Sequence, residues 1–417
     1  MRVLYVVQRY GLEVAGGAEL HCRQFATHMA QRGHRVEVVT TCAQSYVDWA
    51  NAYPPGSAEV DGVVVHRLPT SRPRDPDSFG PLNDRVPWGP RPIALHVQRA
   101  WMHAQGPVVP ELVPWLSERA GAAAHDAVVF FTYLYWTTWA GLPAVAGKVP
   151  TALHPTAHDE PSLSLSLFDA TFRLPDGLAF STEEERDLVR RRFRVDPPSA
   201  VLGIGFDPDL SGDAGAFRRS HGLGDSPYLV VVGRVDAAKG SDELFDFFAA
   251  YKQRHPGPLK LVVVGEPVQA PPAHPDVVVT GFVDEATKRG AVEGATLLVQ
   301  PSYFESFSMV LAEGWLQRRP ALVQGHCETL AGHARRSRGA IAYRGYAEFE
   351  AALELVTADE GLARALGDAG RRYICSNYRW EAVLDRYEEL LGRITAPARV
   401  RRSVPAPARG PARPEGW

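Results

Sequence analysis

The sequence predicts an α/β protein of two Rossmann-like domains whose parallel sheets face each other across a deep cleft. Three observations predict it. At 417 residues the chain is too long for a single core and suits two domains of similar size. Its first forty residues read as strand, glycine loop, helix and strand, which is one βαβ unit. From Tyr228 a second series of β-rich runs alternating with helical stretches begins, set off from the first by the Gly-, Asp- and Ser-rich stretch Ser211 to Asp225.

In order, Arg2 to Gln8 is an apolar run that reads as a buried strand, followed by a glycine-bearing loop from Gly11 to Gly17. Ala18 to about Arg32 is helical in pattern, with Leu20, Phe25 and Met29 facing inward and Gly33 as its stop. Arg35 to Thr40 and Val63 to Leu68 are further β-branched strands. The Pro- and aromatic-rich segment from Thr70 to Pro110 is too long for a connecting loop; it is either an acceptor-binding insertion or a surface excursion over the sheet edge. Ala127 to Gly147 lacks charge for 21 residues, enough to cross a bilayer, but its Thr, Gly and Pro143 and its β-branched, aromatic first half read as strand, loop and short helix. Strands recur at Thr151 to His154 and Leu178 to Ser181, before a charged helix from Thr182 to Arg192.

The second series has strands at Tyr228 to Gly233, Leu259 to Val264, Val277 to Thr280, Thr296 to Gln300 and Ala321 to Val323, with a helix from Ser241 to Tyr251. The expected domains are 1–205 and 206–378. A helix at 379–395, with Val383, Leu384, Tyr387, Leu390 and Leu391 on one stripe, is expected to pack back toward the first domain. The tail 396–417, rich in Pro, Arg, Ala and Gly, is expected to be disordered.

The formal net charge of -3 argues against nucleic acid as a partner, although 40 of the 45 basic residues are Arg and only five are Lys. Cys22, Cys42, Cys327 and Cys375 are scattered without a Cys-x-x-Cys pair, so neither a zinc site nor a disulfide framework is indicated and a reducing cytoplasm fits. The apolar run at the N-terminus is too short for a signal peptide.

Chemistry concentrates in three places. Pro301 to Gly314 passes from a strand into a helix and carries Glu305 at the junction and Glu313 about two turns later. Glu313 lies among apolar neighbours, where a carboxylate needs hydrogen-bond partners that a polyhydroxylated ligand can supply. The free N–H groups from about Ser306 to Met309 make an anion site. The loop Gly233-Arg234-Val235-Asp236-Ala237-Ala238-Lys239-Gly240 follows a strand and precedes a helix, so Arg234 and Lys239 either meet a diphosphate or sit in a solvated loop. His158, followed by Asp159 and Glu160 at a strand end, suits a catalytic histidine, a metal site or a capped turn; His154 is the fallback. Asp75-Pro76-Asp77 and Asp207-Pro208-Asp209 match Asp-x-Asp, but both lie in Pro-containing loops and no metal is assigned.

Pro-Ser-Tyr-Phe-Glu-Ser-Phe-Ser-Met-Val-Leu-Ala-Glu-Gly at 301–314 resembles the donor-binding signature of retaining nucleotide-sugar glycosyltransferases of the GT-B fold, glycosyltransferase family 4. The 233–240 loop resembles that family's Gly-Arg-x-Asp-x-x-Lys-Gly element, and Gly16-Gly17-Ala18-Glu19 its N-terminal glycine loop. Gly203-Ile204-Gly205-Phe206-Asp207 is similar to its interdomain Asn-Gly-Val-Asp segment, and Gly281-Phe282-Val283 to a strand end near the base. Ile204 in place of the usual Asn, and Gly314-Trp315-Leu316 after the second Glu, depart from the pattern.

The resemblance implies His158 and Glu305 as catalytic residues. It implies donor binding by Gly17, Arg234, Lys239, Val283, Ser306, Phe307, Ser308, Met309, Val310 and Glu313. Glu313 would hold the ribose, Glu305 would face the transferred sugar, and the Phe307 to Val310 backbone would meet sugar or phosphate. A nucleotide sugar is the co-substrate and no other cofactor or metal is expected. The acceptor is a glycan, a lipid-linked molecule or a small molecule, with peripheral membrane contact possible and the cytoplasm the expected location. A nucleotide-sugar epimerase, a glycan phosphorylase, for which five lysines leave little choice of cofactor-binding residue, and a non-catalytic nucleotide-sugar-binding protein stay open as alternatives.

Overall fold

The computed structural model describes residues 1–14, 16–89, 92–121, 123–236, 239–265 and 273–396, so the expected disorder of the tail falls, beyond Ala396, outside the described residues. The first sheet contains β1 (Arg2–Val6), β2 (Arg35–Thr41), β3 (Gly56–Val60), β4 (Val63–Leu68), β5 (Ala127–Phe131), β6 (Thr151–His154), β7 (Gly177–Phe180) and β8 (Ser199–Val201), in the order β3-β4-β2-β1-β5-β6-β7-β8. β3 runs antiparallel to β4; every other pairing is parallel. The second sheet contains β9 (Tyr228–Val232), β10 (Lys260–Val264), β11 (Val277–Gly281), β12 (Leu297–Gln300), β13 (Ala321–Gln324) and β14 (Ala340–Tyr343). Its order, β11-β10-β9-β12-β13-β14, is the doubly wound 3-2-1-4-5-6. The central strands are largely buried apolar runs, as parallel strands covered on both faces must be.

The helices of the first domain are α1 (Gly17–Gln31), α2 (Pro76–Asn83), α3 (Leu95–Gln105), α4 (Leu112–Arg119), α5 (Trp136–Val145), α6 (Asp169–Arg173) and α7 (Glu183–Phe193). Those that follow are α8 (Ala214–Ser220), α9 (Ser241–Arg254), α10 (Glu285–Glu293), α11 (Met309–Leu316), α12 (Glu328–Ser337), α13 (Tyr346–Ala358), α14 (Glu360–Asn377) and α15 (Trp380–Thr395). Among the described residues no helix is long and apolar enough to cross a membrane.

Several elements differ from the sequence reading. Thr70 to Pro110 carries helices that were not foreseen: Asp75 caps α2 by accepting from the Asp77 N–H, Pro76 occupies the first turn, and α2 and α3 begin the crossover from β4 to β5. In α1 Leu20 is only half-buried, and Glu19 and His21 turn inward beside Cys22, Phe25 and Met29. β3, β8 and β14 are additional strands. The Gly-, Asp- and Ser-rich stretch Ser211 to Asp225 contains α8.

The crossing is doubled. Phe206 donates its N–H to the Tyr378 carbonyl at 2.8 Å and bridges to Arg379, so the strand entering the second domain lies against the strand leaving it. A Cβ on Gly205 would stand 2.2 Å from the Trp380 indole, which explains the glycine at this close approach. Beyond it α15 packs on the first domain, burying Trp380, Val383, Leu384, Tyr387, Leu390, Leu391 and Ile394 against Tyr5, Phe25 and their neighbours. Arg32 meets Asp385 at 2.7 Å and Glu388 at 3.2 Å at the rim of this contact.

Candidate functional site

In each sheet the strand order reverses about one strand pair, β1/β5 in the first and β9/β12 in the second, and ligands of such sheets sit beyond the strand C-termini at that point. Here the two switch points face each other. A cleft of about 520 Å³ is lined by Gln8 and Arg9 after β1, Thr132 to Tyr135 after β5, Gly233, Arg234 and Lys239 after β9, and Gln300 to Ser302 at the end of β12. His158 and Glu160 after β6, and Phe304 to Val310, complete it.

On the first-domain side, Arg9 donates to Glu19 from Nε at 2.9 Å and lies 2.6 Å from it through Nη2, while the Gln8 amide donates to the same oxygen at 2.8 Å. This buried ion pair and amide hold the start of α1 against the end of β1. A Cβ on Gly16 would meet Glu19 Oε2 at 2.2 Å, so only glycine lets the chain pass the pair, and Gly17 begins α1 open to the cleft. His158 Nδ1 is buried without a hydrogen-bond partner, 3.8 Å from Glu160 Oε1. Glu160 in turn accepts from the Tyr133 hydroxyl at 2.6 Å. His154, the fallback, is core: its ring stacks on Phe131 at 4.3 Å among His21, Phe25 and Tyr387, away from the cleft.

On the second-domain side, Lys239 Nζ pairs with Glu305 Oε1 at 2.8 Å, and the Gln300 amide donates to that same oxygen at 3.0 Å. The Glu305–Lys239 pair thus closes from two separate loops, a contact the sequence did not announce. Arg234 lies 3.4 Å from Asp236 and donates to the Tyr46 hydroxyl of the other domain at 2.5 Å. Gly240 has φ 70, and a Cβ there would stand 2.2 Å from the Pro301 carbonyl, so the lysine loop is seated directly on the glutamate loop.

α11 starts at Met309, two residues later than Phe307. Phe307, though in the cleft lining, is a core residue whose ring packs on Phe206, His333 and Tyr378. Ser308, the N-cap, sits in the left-handed region at φ 74 and its buried hydroxyl has no partner. A non-glycine residue held there costs on the order of 1–3 kcal/mol. With Ser306, Met309 and Val310 it presents the positive end of a helix to the cleft.

Val283 and Glu313 are outside this lining. Glu313, on the second turn of α11, meets Lys288 of α10 at 3.0 Å, and Lys288 also pairs with Glu285 at 2.8 Å. Burial works against the Lys288 ammonium, but Glu313 and Glu285 outweigh it and hold its pKa above the usual lysine value. Phe282, beside Val283, is exposed.

The two-sheet arrangement is shared with known enzymes. Sucrose-phosphate synthase from Thermosynechococcus elongatus aligns with a TM-score of 0.69 at 16% identity, over 94% of this chain and 99% of that one. The fold is GT-B. The Anabaena protein HepE in complex with UDP and glucose aligns with a TM-score of 0.69 at 14% identity, covering 94% of this GT-B chain and 100% of its own. Residues 226–358 match the family described as Glycosyl transferases group 1. D-inositol 3-phosphate glycosyltransferases from Saccharomonospora viridis (27% identical over 74% of this chain and 73% of that protein) and Actinosynnema mirum (28%, 74% and 75%) are similar along most of the sequence. These similarities support a group 1 glycosyltransferase on the GT-B scaffold.

The sequence reading had not singled out Arg9, Glu19, Tyr46, Tyr133 or Glu160 as cleft residues with definite partners. Arg9 was traceable as the first charge after a buried strand, and Glu19 as an acid in the first turn of a helix opened by glycines. Nothing local to Tyr46 or Tyr133 announces a partner in another loop.

Proposed function

We propose that this protein transfers a sugar from a nucleotide-sugar donor to a polyhydroxylated acceptor, with retention of anomeric configuration and without a metal ion. The observation that carries the reading is the meeting of Arg234, Lys239, Glu305 and the N-terminus of α11, with its orphaned Ser308 hydroxyl, at the switch point of the second sheet. Breaking the bond from the sugar C1 to the diphosphate oxygen leaves charge on the phosphates. Two cations and helix-terminal N–H groups in a partly enclosed cleft stabilise charge at that position. Glu305, braced by Lys239 and Gln300, faces the sugar, and a donor phosphate exchanges with it for the lysine. The acceptor oxygen forms the new bond to C1, and its hydroxyl proton leaves on the side where His158 and Glu160 stand. Glu313 and Val283 extend the donor site toward ribose and base beyond the cleft.

The test is a thermal-shift panel of UDP-, GDP-, ADP- and TDP-sugars, followed by turnover with the donor that binds. One donor class should raise the melting temperature by mass action, by roughly 2.7 kcal/mol of added stability at a hundred times its Kd. Turnover should persist in EDTA. No shift with any nucleotide sugar, or activity abolished by chelator and restored by Mn2+, would overturn the respective part of the reading.

A further inference from the structure

The start of α7, in the first domain, reaches across to the turn that opens α11 in the second. Thr182, the N-cap of α7, is buried and uses its hydroxyl twice. It accepts the Glu185 N–H at 3.2 Å, which caps its own helix, and donates to the Ser306 carbonyl at 3.0 Å, 124 positions away. A hydroxyl suits both tasks, because its lone pairs serve the helix while its single proton goes to the carbonyl. Ser306 begins the turn that ends at Ser308, whose φ of 74 lies in the left-handed region and whose hydroxyl is buried without a partner. A non-glycine residue persists in that conformation only where its surroundings hold it.

A second grip comes from Glu184. Its two oxygens meet Arg336 of α12, Nη1 at 2.6 Å and Nη2 at 3.0 Å, a bidentate pair with the carboxylate only 13% exposed. A Cβ on Gly332 would stand 1.9 Å from Glu184 Oε1, so the carboxylate is seated against the backbone of α12. Arg336 Nε also donates to the Tyr373 hydroxyl at 3.3 Å, and that hydroxyl lies 3.0 Å from the hydroxyl of Tyr378. The Tyr378 ring packs edge-on against Phe307 at 5.0 Å, in the middle of the turn. Two routes thus lead from neighbouring residues of α7 to the segment from Ser306 to Ser308, one through its carbonyl and one through its buried ring.

We infer that Thr182 and Glu184 are positioning residues for the donor, acting from the first domain on an anion site that lies in the second. They hold the turn before α11 in the strained form that aims its N–H groups at the diphosphate, so that site is complete only while α7 is docked on it. This rests on the donor reading above. It also makes α7 common to both walls of the cleft, since Glu185, the next residue, accepts the Ala157 N–H beside His158.

The test uses the full chain and the variants Thr182→Val, Thr182→Ser and Glu184→Ala. Without ligand, amide hydrogen exchange of residues 306–310 should be roughly tenfold faster in Thr182→Val and in Glu184→Ala, with β1 and β9 unchanged as the check that both domains are folded. Thr182→Ser, which keeps the hydroxyl, should exchange as the unaltered chain does. By calorimetry with UDP, GDP, ADP and TDP, whichever binds the unaltered chain should bind Thr182→Val roughly tenfold more weakly and Thr182→Ser equally well. Exchange at 306–310 unaltered in both Thr182→Val and Glu184→Ala, a loosened turn with unaltered nucleotide affinity, or no rescue by serine overturns the inference. Should loss of the cap loosen β1 and β9 as well, Glu184→Ala, whose cap is intact, decides in place of Thr182→Val. Failure of all four nucleotides to bind the unaltered chain overturns the donor reading, whereas the exchange of 306–310 decides separately whether α7 holds the turn.

Discussion

Glu185 shows how a single side chain supports the site from beneath. It accepts the Ala157 N–H at 2.7 Å, next to His158, and the Ser181 N–H at 2.6 Å. Burial pushes its pKa up to about 7, against the lowering by those N–H groups. A carboxyl raised in the folded state holds its proton more tightly there than in the unfolded chain, so its contribution to stability is fullest below about pH 4.5 and declines as pH rises toward 7. At 1.36 kcal/mol per unit the decline is about 3 kcal/mol. Glu185→Gln should abolish that part of the pH dependence in denaturation curves taken across this window; parallel curves for the two proteins would refute the assignment. Glu305 and Glu313 should separate kinetically. Glu305→Ala should lower kcat by about ten- to a hundredfold, since the sugar it faces changes charge at the transition state, whereas Glu313→Ala should raise KM. Normal turnover by Glu305→Ala would remove the glutamate from the reaction. The two glutamates were legible because a strand-to-helix junction carries them within fourteen residues. The Glu160–Tyr133 bond was not, because its residues lie on separate loops that only the sheet order brings together.

Among elements, the loop from β9 to α9 depends on its last glycine. Gly240→Ala would place a methyl group against the Pro301 carbonyl in a left-handed conformation, forcing the loop off the end of β12 and Lys239 away from Glu305. A stability loss of roughly 1–3 kcal/mol and at least tenfold weaker nucleoside-diphosphate binding are expected, read by denaturation and calorimetry; unchanged affinity would show that the lysine plays no part in holding the phosphates. The strands around this loop were readable because each is a short, largely buried apolar run that ends at glycine or proline. β3 escaped because it is an exposed edge strand, Gly-Ser-Ala-Glu-Val, with no apolar face to register. Its signal was the turn: Asp61-Gly62, both at positive φ, is a hairpin dipeptide before a β-branched run. The helices α2 and α3 were not foreseen within the Pro-rich segment, where Pro76 opens a capped helix.

For the whole molecule, the doubled crossing at Phe206 and Tyr378 makes the second domain an insertion into the first, with α15 supplying part of the first domain's core. Its apolar side chains, at roughly 1.5–3 kcal/mol each, together rival the 5–15 kcal/mol net stability of a typical domain. Removal of residues 380 onward should therefore leave residues 1–205 without a cooperative unfolding transition; a truncated protein that still melts sharply at both domains would contradict this. The two-domain plan was legible because both halves begin with a strand–loop–helix unit, and the helical stripe of α15 was visible. How closely the crossings are pressed together was not, since it depends on Gly205 meeting a ring 175 positions away. The arrangement also sets an order of assembly on the ribosome. The second domain, continuous in sequence, can close as soon as it has emerged, whereas the first, begun earliest, exposes Tyr5 and Phe25 until α15 is synthesised. The half of the enzyme translated first is thus the half completed last, and its unfinished face is what a nascent-chain chaperone would meet.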